Sequence, residues 1–185
     1  LTEHHVEIYS ATGEALAVLP TGIGPRGFAL QDGVLYVANR GTDRAAGSDI
    51  TVIDLAKLQP IRTIQACAAC APRAVSFDAA GTMWISGQKD QAVYWLKPPY
   101  RDPAGSAIVA WGWPQELTRF NGANVMVVGM RSSNELGVID ATNPAKVPRV
   151  QRVVIGPVPD HVAARPHTNE VWASTNPMGH LAILT

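Results

Sequence analysis

The chain has only two cysteines, no surplus of either charge and no long apolar run. Lys plus Arg and Asp plus Glu number 15 each in 185 residues, so the net charge is zero. A general nucleic-acid or anionic-membrane binder carries a basic excess, so no nucleic-acid partner is expected. No apolar stretch approaches the ~18 residues of a spanning helix, so no membrane insertion is expected. Charged residues are only 16% of the chain. No Gly-x-Ser-x-Gly elbow, His-Glu-x-x-His pair or Gly-rich phosphate loop after a strand occurs, so no nucleophile or metal set stands out.

The cysteines exclude more than they suggest. Cys67 and Cys70 are spaced Cys-Ala-Ala-Cys. Attachment of a c-type haem needs His after the second Cys, and residue 71 is Ala. A four-cysteine zinc site needs a second pair. A thioredoxin-like redox pair opens a helix, and no helical pattern is present here. A local disulfide stiffening a loop remains, which fits an oxidising compartment, with free thiols as the alternative.

What the chain has in quantity is turn formers, 16 glycines and 14 prolines, as in an all-β chain of short strands. A Pro-led unit recurs at Pro25, Pro72, Pro114 and Pro159, with spacings of 47, 42 and 45 residues. That is the period of four-stranded propeller blades. Aligned on the prolines, the second strands read Val34-Leu-Tyr-Val-Ala-Asn39, Thr82-Met-Trp-Ile-Ser-Gly87, Asn124-Val-Met-Val-Val-Gly129 and Glu170-Val-Trp-Ala-Ser-Thr175. One column of that alignment holds Tyr36, Trp84, Met126 and Trp172, which predicts packing between neighbouring sheets. Third strands such as Ile50-Thr-Val-Ile-Asp54 and Leu136-Gly-Val-Ile-Asp140 are near-continuous apolar runs, as buried strands are. The fourth strands include Ala107-Ile-Val-Ala-Trp111.

The expected fold is an all-β propeller of four-stranded antiparallel blades, with about four present. Residues 1–185 read as one partial propeller, with blades at 1–24 (partial), 25–71, 72–113, 114–158 and 159–185 (partial). The strands total 17, whereas a closed four-bladed ring takes 16. Leu1 opens the chain without Met, and both ends look cut from something longer. We therefore read a fragment of a ring of six to eight blades, the alternative being a small ring with an irregular closing blade.

The repeat also predicts where a site lies. Loops leading into first strands and loops joining second to third strands open on one face, around the central channel. This gathers Arg26, Arg40, Arg73, Lys89, Arg131, His161 and His180 on one side. Such a cationic mouth suits a small anionic ligand or an acidic protein surface. The alternative is that the arginines clamp blade to blade through carboxylates such as Asp43 or Asp90. Asp160-His161 beside Arg73 is a conceivable acid–base set. The stretch Arg40 to Asp49 is the longest second-to-third-strand loop, either a contact element or a tolerated insertion.

These units resemble the YVTN-type β-propeller repeat family. Pro25-Arg-Gly-Phe-Ala-Leu-Gln-Asp-Gly-Val-Leu-Tyr-Val-Ala-Asn39 followed by Ile50-Thr-Val-Ile-Asp54 carries the resemblance, and Tyr36-Val-Ala-Asn39 stands for the family's Tyr-Val-Thr-Asn. Leu96 and Val128-Gly129 depart from the pattern. The resemblance implies a propeller outside the cytoplasm, periplasmic or extracellular. Similar propellers host binding, lactone hydrolysis and redox chemistry. The segment from Pro159 to Thr185, with Arg165-Pro-His167 and Val171-Trp-Ala-Ser-Thr175, is also similar to the d1-haem propeller of cytochrome cd1 nitrite reductases. The functional expectation is a binding or scaffold domain. The alternative is the propeller of a d1-haem or quinoprotein oxidoreductase, or of a lactonase-like hydrolase. No cofactor is required by the sequence; haem or a divalent metal belongs to the alternative.

Overall fold

The computed structural model describes residues 4–101, 107–109, 112–120, 124–142, 150–176 and 179–185, with the side chains of 107–109 excepted. Among them are 17 strands and no helix, so no helix is long and apolar enough to cross a membrane. The strands form five antiparallel sheets. The first pairs β1 (His5–Tyr9) with β2 (Ala15–Pro20). The second is β3 (Pro25–Gln31), β4 (Val34–Gly41), β5 (Ala46–Asp54) and β6 (Gln59–Gln65). The third is β7 (Pro72–Phe77), β8 (Met83–Gly87), β9 (Ala92–Leu96) and β10 (Ala107–Val109). The fourth is β11 (Pro114–Phe120), β12 (Val125–Met130), β13 (Glu135–Asp140) and β14 (Val150–Val154), and the fifth is β15 (Pro159–Ala164), β16 (Val171–Thr175) and β17 (His180–Leu184). Residues 110 and 111 of the expected strand at 107–111 lie outside the described residues.

Within each of the later sheets the strands lie in chain order, so the Pro-led strand is innermost. Each inner strand packs on the next, β3 on β7, β7 on β11 and β11 on β15. At Gly27 the approach is so tight that a Cβ would lie 2.4 Å from the Arg73 carbonyl oxygen, so only glycine fits. This is a propeller, built as meanders around an axis.

Alternation at period two gives every sheet two apolar faces. On β4, Leu35 and Val37 turn back to Leu19 of the first sheet, and Tyr36 and Ala38 turn forward to Phe77, Met83 and Ile85 of the third. Trp84 turns forward to the fourth sheet, among Leu117, Met126 and Val128. Its indole N–H donates to Asp78 Oδ2 at 3.0 Å, while Asp78 Oδ1 accepts the amides of Ala80 and Thr82.

The pairing register corrects one column of the alignment. Pro25, Pro72, Pro114 and Pro159 lie opposite Asn39, Gly87, Met130 and Thr175. The fourth unit is therefore displaced by one residue, and Val127, not Met126, is the counterpart of Tyr36, Trp84 and Trp172. A one-residue slip reverses the face. Met126 accordingly packs backward on the third sheet, and Val127 packs forward on the fifth.

Apolar faces stay open towards both ends of the array. Phe28 and Leu30, at the back of the second sheet, are 71% and 61% exposed, because the first sheet holds only two described strands. Trp172, Leu181 and Ile183 are exposed on the forward face of the fifth. Trp172 thus departs from the packing expected of its column, since no described sheet follows.

Two outcomes follow from these contacts. Asp78→Ala leaves the Trp84 indole and two turn amides unsatisfied, and urea denaturation is expected to show a loss of about 2–4 kcal/mol. Tyr100 packs edge-on to Tyr36 and Phe77, and burial, then Tyr36, pushes its hydroxyl up to about 12 from 10.0. A raised folded-state pKa stabilises fully below the unfolded value and is lost as pH climbs through the folded one. The urea midpoint should therefore fall between pH 10 and about 12, less steeply in Tyr100→Phe.

Candidate functional site

One backbone hydrogen bond recurs in four sheets and builds the mouth. The amides of Arg40, Gln88, Arg131 and Asn176 donate to the carbonyls of Gly24, Ala71, Trp113 and Val158, at 2.9, 3.2, 3.1 and 3.1 Å. Each ties the residue after the one opposite the Pro to the residue before the Pro. The turn between second and third strands is thereby fastened to the loop leading inward.

A β-bulge follows at the same place in every unit. The register shifts by one between Pro25 and Gly27, Pro72 and Ala74, Pro114 and Leu117, and Pro159 and His161. The residue after the Pro (Arg26, Arg73, Gln115 or Asp160) falls in the bulge and is released from the ladder, which re-aims its side chain. In the third sheet, Ser86 Oγ accepts the Ala74 amide at 3.0 Å and donates to the Gln115 carbonyl at 2.6 Å, linking two blades through this defect.

The stretch 40–49 is a strand extension with a short tip. Strands β4 and β5 run on past their neighbours, with Gly41 opposite Ala46, and only residues 42–45 form the tip. Gly41 has φ +84°, and a Cβ there would lie 2.3 Å from the Ala45 carbonyl oxygen. The extension carries Arg40, Thr42, Asp43, Arg44 and Ala46 over the mouth.

Together these elements border a half-open cavity of about 590 Å³, within the range of small-molecule sites. Arg26, Arg40, Arg73, Lys89 and Arg131, five of the seven residues expected at the mouth, line it, along with Arg44. Asp43 is the one carboxylate in its lining. The Arg40 guanidinium is occupied, donating to Gln88 Oε1 at 3.0 Å and to Asp43 Oδ1 at 3.3 Å. Among the described residues Arg26, Arg44, Lys89 and Arg131 form no ion pair.

Arg73 differs from the others. It is more than nine-tenths buried, and its Nε has no hydrogen-bond partner among the described residues. Its Nη2 stands 3.7 Å from Asp160 Oδ1, an ion pair too long for a hydrogen bond, so that Asp160 oxygen is unsatisfied as well. Burial first, then Arg26, pulls the Arg73 pKa down, and Asp160 and Glu116 oppose this. A guanidinium stays charged regardless, so the site holds a cation short of counter-charge.

The two histidines lie elsewhere. His161 Nδ1 is 3.4 Å from Glu116 Oε1 of the fourth sheet and its Nε2 is 3.9 Å from Asp160 Oδ2, with the ring largely exposed. His180 is exposed at the start of β17, opposite Thr175. Neither lines the cavity. The arc of inner strands is therefore charge-segregated, cationic over the second and third sheets, with Glu116, Asp160 and His161 beyond. Asp160 pairs with Arg73 across sheets, Asp43 pairs with Arg40 within one hairpin, and Asp90 accepts the Tyr94 hydroxyl.

The lining also holds residues not expected at the mouth, among them Arg44 and Trp113. Arg44 lay inside a stretch taken as a loop. Trp113 precedes Pro114 as Ala71 precedes Pro72, and both line the cavity; the column before the Pro was the usable signal.

Cys67 and Cys70 form a disulfide. It brackets the cavity wall. The Ala66 and Ala71 amides donate to Ser48 and Gly47 of the strand extension at 2.8 and 3.0 Å, and the Lys89 amide donates to the Cys70 carbonyl at 2.9 Å.

No protein-family model matches the sequence, and no curated protein matches it. Solved structures match in fold. A catalytically inactive variant of virginiamycin B lyase from Staphylococcus aureus, solved with quinupristin, is 14% identical, with a TM-score of 0.75 over 98% of this chain and 60% of that one. A lactonase-like protein from Bacteroides uniformis is 16% identical, with a TM-score of 0.68 over 97% and 59%. Dihydro-heme d1 dehydrogenase NirN, in complex with its ligand, is 18% identical, with a TM-score of 0.65 over 99% and 39%. At these identities the likeness shows the β-propeller fold alone. The chain spans about 60% of the length of the lyase.

Replacing Cys67 and Cys70 by alanine should cost about 2 kcal/mol, from the entropy of so short a closed loop. Hydrogen exchange localises the effect: the Gln88 and Lys89 amides are expected to lose protection, while the Trp84 amide keeps it.

Proposed function

We propose that this chain is part of a periplasmic or extracellular propeller of YVTN-type repeats, and that its cationic mouth binds a small anion. Residues 1–185 then form part of one domain, a ring of six to eight blades. Arg26, Arg40, Arg44, Arg73, Lys89 and Arg131 hold the ligand. The observation carrying this reading is Arg73, a buried guanidinium lining the cavity with an unpartnered Nε. A buried charge without full hydrogen bonding costs free energy, and an anion seated against it offsets that cost. The cavity's concave shape favours a small ligand over an acidic protein surface. The disulfide and the lack of a spanning helix among the described residues are compatible with the compartment.

The enzymatic alternative, a d1-haem or lactonase-like propeller, draws its support from the shared fold with proteins of that description. His161 and His180 belong to that alternative and not to the anion site.

Calorimetric titration with tricarballylate, an aliphatic trianion, at about pH 8 tests the reading. Millimolar or tighter binding is expected, weakening with salt. Arg73→Ala should weaken it about 30-fold, some 2 kcal/mol, and Arg26→Ala less. Binding indifferent to both substitutions would sink the anion site.

A further inference from the structure

Trp113 is the one large apolar side chain in the cavity lining, and it is half exposed. Its backbone is fixed on both sides. The carbonyl accepts the Arg131 amide at 3.1 Å and Gln115 Nε2 at 3.2 Å, and the amide donates to Ser132 Oγ at 3.2 Å. Pro114 further restricts the backbone of Trp113 to extended conformations. The other apolar lining residues are Ala46 and Ala71. No ring or cation stacks on the indole among the described residues.

An indole face accepts either a cation or a flat ring. The six cations around it decide between these. A cationic ligand gains at the ring but is repelled by Arg26, Arg44, Lys89 and Arg131, which have no carboxylate partners among the described residues. An aliphatic anion satisfies the guanidinium groups and leaves the indole unused. Only a ligand that is both flat and multiply anionic uses both features, and about 590 Å³ leaves room for one or two fused rings.

We propose that the cavity selects an aromatic polyanion, its acidic groups on the arginine cluster and its ring on Trp113. This rests on the anion-site reading above and adds the chemical class of the ligand.

The test compares trimesate, a benzene tricarboxylate, with tricarballylate, which has the same charge and no ring, on the whole protein that contains these 185 residues. Trimesate is expected to bind about five- to tenfold more tightly, the range of an aromatic contact. Its ring protons should shift upfield in NMR titration through the indole ring current. In Trp113→Ala the preference and the upfield shift should vanish while tricarballylate affinity holds within about twofold; Trp113→Phe should keep most of both. Equal affinities in the parent chain, or a preference that survives Trp113→Ala, overturn the aromatic proposal and leave the anion site standing. Failure of both trianions to bind overturns the anion site and the proposal with it.

Discussion

Each inner sheet of this molecule is apolar on both faces, and a sheet cannot cover its own faces. Leu35 and Val37 look one way from β4 and Tyr36 and Ala38 the other. Burying both requires a neighbour on each side. The neighbour is itself two-faced, so the demand passes around the axis. A propeller is the arrangement in which every sheet meets that demand through the same contact. The blade period, the inner position of the Pro-led strands and the glycine at a tight approach all follow from it. The exposed Phe28 and Trp172 mark where the described sheets stop meeting it.

The mouth is built from what the packing leaves over. A backbone hydrogen bond repeated in four units locks each turn to each inward loop, and a bulge in each inner strand frees one side chain from the sheet. Freed positions carry arginine in two sheets, glutamine in the next and aspartate in the last. The scaffold repeats and the chemistry does not, which is why the cationic cavity sits over only part of the arc. The disulfide stiffens the wall where strand extension and turn meet, beside the most buried cation.

The prolines made the architecture legible, because a fixed backbone angle and a missing donor mark the same point in every blade. The column Arg26, Arg73, Gln115 and Asp160 was legible for the same reason. Other features were not. The displacement of β12 was hidden because Asn124-Val-Met-Val-Val-Gly129 is apolar at every candidate register, so pattern alone could not choose a face. The burial of Arg73 was hidden because arginine reads as a surface residue until its neighbours in space are known. His161 and His180 were assigned to the mouth by repeat position, which fixes the strand end and not the direction of the side chain. Arg44 was missed because the Gly-, Ser- and Asp-rich stretch reads as one long loop, while paired strands on both sides confine the tip to residues 42–45 and carry it over the mouth.

That strand extension has a consequence for how such a cavity can vary. A loop over a site can change length by any number of residues. A two-stranded arm that keeps its pairing grows by adding a residue to each strand, about 3.4 Å of reach at a time. Each such step also reverses which side chains face the site. The arm therefore has a natural increment of two residues per strand, about 6.8 Å, that deepens the cavity while keeping Arg40 and its partners pointed inward. Related sites with arms of this kind would differ in depth by discrete amounts, as teeth on a ratchet do.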